Sequence, residues 1–389
     1  MSKLSNVSSY VTEKISVDSI DISEYITTDN LLQNKKGRVI AEKLPSQKVT
    51  KFKKDDILIA NIRPYLKKIW QADIEGGASS DVLVIRPNDL IDNNFLYYAL
   101  TQDSFFEYVM KGSKGTKMPR GDKSQIMNFV IPDLDIDEQI KIGKLLKCID
   151  QKIQINNQIN QELEAMAKTL YDYWFVQFDF PDQNGKPYKS SGGKMVYHPE
   201  LKREIPEGWG VEKLGDITIC HDSKRVPLSS NDRELVKGEI PYYGATGIMD
   251  YVNDYIFDGD YVLMAEDGSV MTEKGTPILQ RISGKNWVNN HAHVLEPIKN
   301  HSCKLLMMLL KDVSVMKIKT GSIQMKINQE NMNKIVVPAI PLELLSEINQ
   351  KLEVIDKQQL NLIEENHQTA RLALADADEW AGYNLMFRR

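Results

Sequence analysis

Residues 132–150 read PDLDIDEQIKIGKLLKCID, and residues 338–356 read PAIPLELLSEINQKLEVID. The two stretches lie 206 positions apart. At that offset Pro132, Ile142, Leu146, Ile149 and Asp150 fall on Pro338, Ile348, Leu352, Ile355 and Asp356 without a gap. The same offset carries Gly115-Thr116 onto Gly321-Ser322. Upstream, with small insertions, Asp56-Ile57-Leu58-Ile59 resembles Asp260-Tyr261-Val262-Leu263, and Val84 and Pro87 match Val294 and Pro297. Leu4-Ser5-Asn6-Val7 likewise matches Leu214-Gly215-Asp216-Ile217. Chance could supply any one match, but an ordered series marks an internal repeat. The chain therefore reads as one unit of about 200 residues written twice.

Each copy has two parts. In the first part, short β-rich runs (56–60, 81–85, 261–264, 292–295) alternate with Gly, Asn, Asp and Pro. Helical stretches are predicted after them, at Asn94 to Met110 and Cys303 to Met316. The second part is a long helix. In the first copy it opens after Pro132, and Asp133, Asp135, Asp137 and Glu138 complement the positive end of its dipole. Apolar residues then step by three and four through Ile142, Leu146, Ile149, Ile153, Leu163, Ala167, Leu170 and Trp174, which is a coiled-coil seam. Asn156 and Asn160 fall in that seam, and the second copy continues it through Ile348, Leu352, Ile355, Gln359, Leu362 and Asn366. Asn160 and Asn366 are equivalent positions: buried, they would fix register, whereas on a slightly drifting helix they would face solvent.

A helix of about 35 residues is roughly 50 Å long and cannot bury such a seam alone. The two related helices are expected to pair antiparallel about a pseudo-twofold. The predicted fold is thus α+β: two mixed α/β globules joined by two long antiparallel spacer helices forming a coiled coil. The predicted divisions are a first globule over 1–132, a spacer helix over 133–178 and a linker over 179–204. A second globule over 205–338, a second spacer helix over 339–379 and a C-terminal tail over 380–389 complete the chain. The aromatic block LYDYWFVQFDF (170–180) closes the first helix. It reads either as cover for the base of a globule or as part of a partner surface.

Chemistry is conspicuous by what is missing. Cys148, Cys220 and Cys303 are far apart, so neither a zinc knuckle nor a disulfide framework is suggested. There is no GxGxxG after a strand and no Walker-type loop. His291 and His293 would share one face of a strand and could hold a metal, but no partner ligand is evident in the sequence, and no metal is expected. Glu266-Asp267 and Glu273-Lys274 only faintly resemble a nuclease carboxylate set. No catalytic residue is assigned. The longest dense apolar run, Leu305 to Leu310, is far too short to span a bilayer, and the N-terminus lacks a signal-peptide core. A cytoplasmic protein without membrane contact is expected.

The formal net charge of −5 argues against nucleic acid only as an average. Residues 1–130 carry 19 Lys/Arg and 16 Asp/Glu, whereas residues 131–175 carry 5 and 8, and residues 339–379 carry 3 and 9. The acidity sits in the helices. In the first globule Lys111, Lys114, Lys117, Arg120 and Lys123 recur every third residue among Gly112, Gly115 and Gly121. Such a loop suits phosphates or guanine edges, or is simply solvated. A second cluster is Arg63, Lys67 and Lys68 beside Tyr65. The second globule offers Lys224, Arg225, Lys317, Lys319 and Lys326, with Ser322 and Gln324 as polar base-sorting candidates.

Several stretches together resemble the specificity subunits of type I restriction–modification systems. They are LYDYWFVQFDFP…SSGG…IPEGW, PYYGATGI (241–248), DGDYVLMAEDG (258–268) and NIRPYLKKI (61–69), with the openings at Pro132 and Pro338. The resemblance covers essentially the whole chain. It implies two target-recognition domains, each followed by a helical spacer, that read a bipartite site in double-stranded DNA. It implies no catalysis by this chain. Two methylation subunits using S-adenosylmethionine would clamp the helices, and restriction subunits would supply ATP- and Mg-dependent translocation and cleavage. Glu138-Gln139 of the first helix fits the pattern of a partner contact, but the second helix reads Pro341-Leu342-Glu343-Leu344-Leu345 and lacks the pair. The alternatives are a duplicated coiled-coil scaffold that binds only protein, and a self-sufficient restriction enzyme.

Overall fold

A computed structural model describes residues 1–115, 117–321 and 325–386, those from 370 onward as backbone alone. The chain divides into two compact units, residues 1–155 with 366–389, and residues 156–365.

The first unit closes on itself where Ser2–Lys3 pairs antiparallel with Val130–Ile131, just before the long helix. Its central sheet has the order Ser8–Tyr10, Val82–Pro87, Ile57–Ala60, Ile69–Gln71, all antiparallel. Successive side chains of a strand point to opposite faces, and here both faces are covered. Ile57, Ile59, Leu83 and Ile85 meet the helices Asn93–Thr101 and Asp103–Lys111. Leu58, Ala60, Val82 and Val84, with Trp70 of the same sheet, meet Phe52 of the other layer. Burial on both faces explains why these strands read as unbroken apolar runs. The second layer is a sheet of order Lys14–Ile15, Val49–Phe52, Gly76–Ala78, Tyr25–Ile26. A Cβ at Gly76 would lie 2.1 Å from the Glu24 carbonyl oxygen, so this strand passes where only glycine fits. The single helix predicted over 94–110 is two, because Gln102 is extended (φ −63°, ψ 145°) between them.

The second unit repeats the plan. Gly210–Lys213 pairs with Val336–Ala339, and the central sheet runs Thr218–Cys220, Ala292–Pro297, Tyr261–Ala265, Leu279–Ile282. The helix predicted over 303–316 ends at Leu310, and downstream the Val315 N–H donates to the Gly275 carbonyl at 2.9 Å. The copies differ in their smaller sheets. In the first, the parallel pair (Tyr25–Ile26 with Gly76–Ala78) lies at an edge; in the second, the parallel pair (Lys237–Tyr243 with Lys285–Val288) is central.

The long helices span Ile136–Tyr171 and Leu342–Met386, the second running beyond the predicted end at 379. Within the second unit their segments run antiparallel: Asn156 Nδ2 donates to Glu365 Oε2 at 2.8 Å, and Gln359 Nε2 to the Asn160 carbonyl at 3.1 Å. The side chains that make these register bonds are therefore Asn156 and Gln359. Asn160, expected to set register through its amide, contributes its backbone oxygen; Asn366 is half-buried in the first unit. Ala167, Ile348, Leu352, Ile355 and Leu362 are buried along the seam. Among the described residues no helix is long and apolar enough to cross a membrane.

The aromatic block covers the base of the second globule. Tyr171, Trp174, Phe175, Phe178 and Phe180 share a core with Ile205, Leu214 and Ile217. Phe180 stacks on Tyr188 (4.9 Å) and Trp209 (5.3 Å), and Met195–His198 pairs with Arg203–Pro206 as a hairpin within the stretch predicted as a linker. Phe175 is fully buried against Tyr171, Trp174 and Trp209. Phe175→Ala is expected to cost about 3–5 kcal/mol, measured as a lower urea midpoint with an unchanged slope.

Candidate nucleic-acid interface

The clearest functional geometry is a pair of equivalent hairpins. Lys114 and Arg120 form an antiparallel bridge in the first unit, and Thr320 and Lys326 form one in the second. The 206-residue offset superposes one pair on the other. Gly115 (φ 97°) and Gly321 (φ 78°) take the left-handed turn that both hairpins need and that a β-carbon resists. Each hairpin is tied to the chain leaving the central strand, through Ile62 with Arg120 and through Asp267 with Lys326.

In the first unit this tie unites the cluster that opens at Arg63 with the one that opens at Lys111, far apart in sequence. The Arg63 N–H donates to Pro119 at 2.8 Å and the Gly121 N–H to Asn61 at 3.2 Å. Arg63, Tyr65, Lys111, Lys114, Lys117 and Arg120 are all exposed. Lys114 meets Asp122 at 3.5 Å and Arg120 meets Asp81 at 3.2 Å. Such surface pairs are weak and exchange readily for phosphate. Arg63, Lys111 and Lys117 have no ion-pair partner among the described residues. Lys67 and Lys68 serve the turn itself: Lys67 pairs with Asp103 at 2.8 Å, and the Lys68 ammonium donates to the Thr28 carbonyl.

In the second unit Lys224 is exposed, Lys326 is half-exposed and paired with Glu266 at 3.0 Å, and Lys319 is half-buried with its Nζ at 3.2 Å from Met325 Sδ. Arg225, expected on the DNA face, is an internal residue. Its guanidinium donates to Glu266 and to the Ala292 carbonyl (2.7 Å each) and pairs with Asp222 at 3.2 Å. Ser322 and Gln324 lie outside the described residues. On the first long helix Glu138 is exposed, whereas Gln139 is buried inside its own unit and is not available to a partner.

Beneath the second hairpin lies a partly buried group that the sequence reading missed. Cys220, Asp222 and His293 bring a thiol, a carboxylate and an imidazole within 4.8 Å of one another. His293 sits between the Asp222 carboxylate at Nδ1 (2.5 Å) and the Ile327 carbonyl at Nε2 (2.8 Å). His291, two positions before it in sequence, turns to Asp267 instead. The three side chains have the chemistry of a cation site, but Arg225 already bridges Asp222 and Glu266 and supplies the positive charge there. Burial pushes the Cys220 thiol up to about 12, so it sits in this network as a neutral thiol. Signs of this cluster in the sequence were slight: Cys220 and Asp222 are two positions apart, but His293 comes from a distant strand.

Burial raises the Asp222 carboxyl, but hydrogen bonds from His293 and Cys220 and the charge of Arg225 outweigh it and hold the group below the ordinary 3.8. A depressed carboxyl stabilises the fold fully above its unfolded value and loses that contribution as pH falls through the folded one. Thermal unfolding should therefore become easier as pH drops below about 4, and Asp222→Asn should flatten that dependence. Arg225→Ala, which leaves Asp222 to His293 and Glu266 to Lys326, should cost about 1–3 kcal/mol by chemical denaturation at neutral pH.

Comparison with known proteins matches residues 10–165 and 206–370 to a family described as the type I restriction modification DNA specificity domain. The chain is 25% identical over 279 residues to the type I restriction enzyme MjaIX specificity subunit of Methanocaldococcus jannaschii, covering 66% of this chain and 61% of that one. It is 33% identical over 154 residues to a putative type I restriction enzyme specificity subunit, S.HindORF215P, of Haemophilus influenzae, covering 39% of each. It thus spans about three-fifths and two-fifths of these relatives. The crystal structure of a type I restriction–modification S subunit from M. genitalium superposes with a TM-score of 0.56 over 96% of this chain and 93% of that one, at 16% identity, a likeness of fold.

Proposed function

Because the chain belongs to the family of type I restriction modification DNA specificity proteins, we propose that it is the non-catalytic DNA-reading subunit of such a system. On this reading each unit presents a hairpin to one half of a bipartite duplex target. The observation that carries it is the repeated hairpin, with a cation at Arg120 and at Lys326 on equivalent positions of the two copies. Two copies of one reader suit two half-sites, as repeated binding modules do when each engages its own stretch of duplex.

The roles divide by chemistry. Cations without an ion-pair partner among the described residues, Arg63, Lys111, Lys117 and Lys224, hold phosphates, which fixes position without sorting bases. The hairpin residues and Tyr65 reach groove edges, where arginine and lysine select guanine by two acceptors. Methylation subunits, two in number, would dock on the helices, where Glu138 is an exposed carboxylate. They and the restriction subunits would bring S-adenosylmethionine, ATP and Mg. In this assembly the methylase would flip adenines from the stack.

The triple variant Arg63→Ala, Lys117→Ala, Arg120→Ala tests this reading. Binding of the complex with its methylase to duplex DNA should weaken. The slope of log affinity against log salt should fall by roughly 0.9 for each phosphate contact removed. An unchanged slope would remove this face from the interface and favour a protein-binding scaffold.

A further inference from the structure

The long helix holds each globule through an amide aimed at one backbone N–H. In the first unit Asp92 caps the helix Asn93–Thr101, its Oδ1 accepting from the Phe95 N–H at 2.9 Å. The N–H of Asp92 itself donates to Gln139 Oε1 at 3.0 Å, and Gln139 Nε2 donates to the Leu134 carbonyl at 2.9 Å. In the second unit Ser302 caps the helix Cys303–Leu310, its Oγ accepting from the Leu305 N–H at 3.1 Å. The N–H of Ser302 donates to Asn349 Oδ1 at 3.3 Å, and Asn349 Nδ2 donates to the Asn300 carbonyl.

Gln139 and Asn349 are not equivalent positions. At the 206 offset Gln139 falls on Leu345, which is buried, and Asn349 falls on Gly143. The bond thus comes from helix positions one turn apart in the two copies, and the surroundings match each choice. A Cβ at Gly143 would lie 2.5 Å from Asp92 Oδ1 and 2.8 Å from the Phe95 nitrogen. Asp92 with Gln139 and Gly143, and Ser302 with Leu345 and Asn349, are two self-consistent sets. The Asp92 cap and the Phe95 backbone together leave room only for glycine at 143, whereas the second unit accommodates asparagine beside its shorter cap. Further along each helix a second tie falls on equivalent positions: Asp150 accepts from the Tyr98 hydroxyl at 2.8 Å, and Asp356 from Arg281 at 3.0 Å.

We propose that Gln139 and Asn349 are positioning residues that fix the heading of each globule on its helix, and so the gap between half-sites that the complex accepts. The proposal rests on the DNA-reading function above. A globule that loses one of these ties keeps the others, such as Asp150 with Tyr98 and Lys147 Nζ with Asn94 Oδ1 (3.0 Å) in the first unit, but its heading is less tightly fixed and it could meet half-sites at more than one spacing.

The test uses the full chain with its methylase. The probes are duplexes carrying the target found by methylome mapping, with the gap native, or one base pair longer or shorter. Wild type should prefer the native gap, and Gln139→Ala should narrow that preference about tenfold, the scale of one buried hydrogen bond. The triple variant Asp92→Ser, Gln139→Leu, Gly143→Asn installs the second set in the first unit and should restore the preference. A folded Gln139→Ala that keeps the wild-type preference, or a folded triple variant that does not regain it, overturns the proposal. A wild-type complex with no two-part target would instead remove the DNA reading, and this proposal with it.

Discussion

An apolar seam along a 36-residue helix cannot be left in water. That constraint organises the molecule. Each helix must find a complementary surface, and the repeat supplies a related helix. Within the second unit the two helix segments meet antiparallel, with Asn156 against Glu365 and Gln359 against Asn160. The polar bonds do not add much stability, but they discriminate between registers that the apolar residues alone would accept. Lys304, nearly buried, is held by both Glu164 of one helix and Gln359 of the other, so the second globule is keyed to that same register.

The globules show how a duplicated unit diverges without losing its plan. The central sheets keep their strand order, and the hairpins keep their bridge and left-handed glycine. The chemistry placed on that frame differs. The first hairpin lies beside an exposed turn carrying Arg63 and Tyr65; the second lies over a buried network of Arg225, Glu266, Asp222 and His293. On the proposed DNA-reading function, a kept scaffold with altered loops is what two readers of different sequences require.

Much of this was legible in the chain. The repeat followed from an uninterrupted offset, the inner strands from apolar runs, and the helices from steps of three and four. What was not legible turned on neighbours with opposite fates. Lys224 is exposed and Arg225 is half-buried; Glu138 is exposed and Gln139 is buried. Charge and polarity place such pairs together, whereas the turn of the backbone separates them, and one residue of rotation decides which side faces the core. The Cys220, Asp222 and His293 group was invisible for another reason. Cys220 and Asp222 come from the end of one strand and the turn after it, His293 from another, and only the pairing of Thr218–Cys220 with Ala292–Pro297 brings them together. Likewise the two basic clusters of the first globule read as separate until the Arg63 to Pro119 bond joined them.

The central claim is that two copies of one reader address two stretches of the same duplex. Hydroxyl-radical footprinting of the complex with its methylase on its mapped target tests this most directly. Two short protected blocks separated by a gap of constant length are predicted. One continuous block, or protection that survives unchanged when either half-site is scrambled, would contradict it.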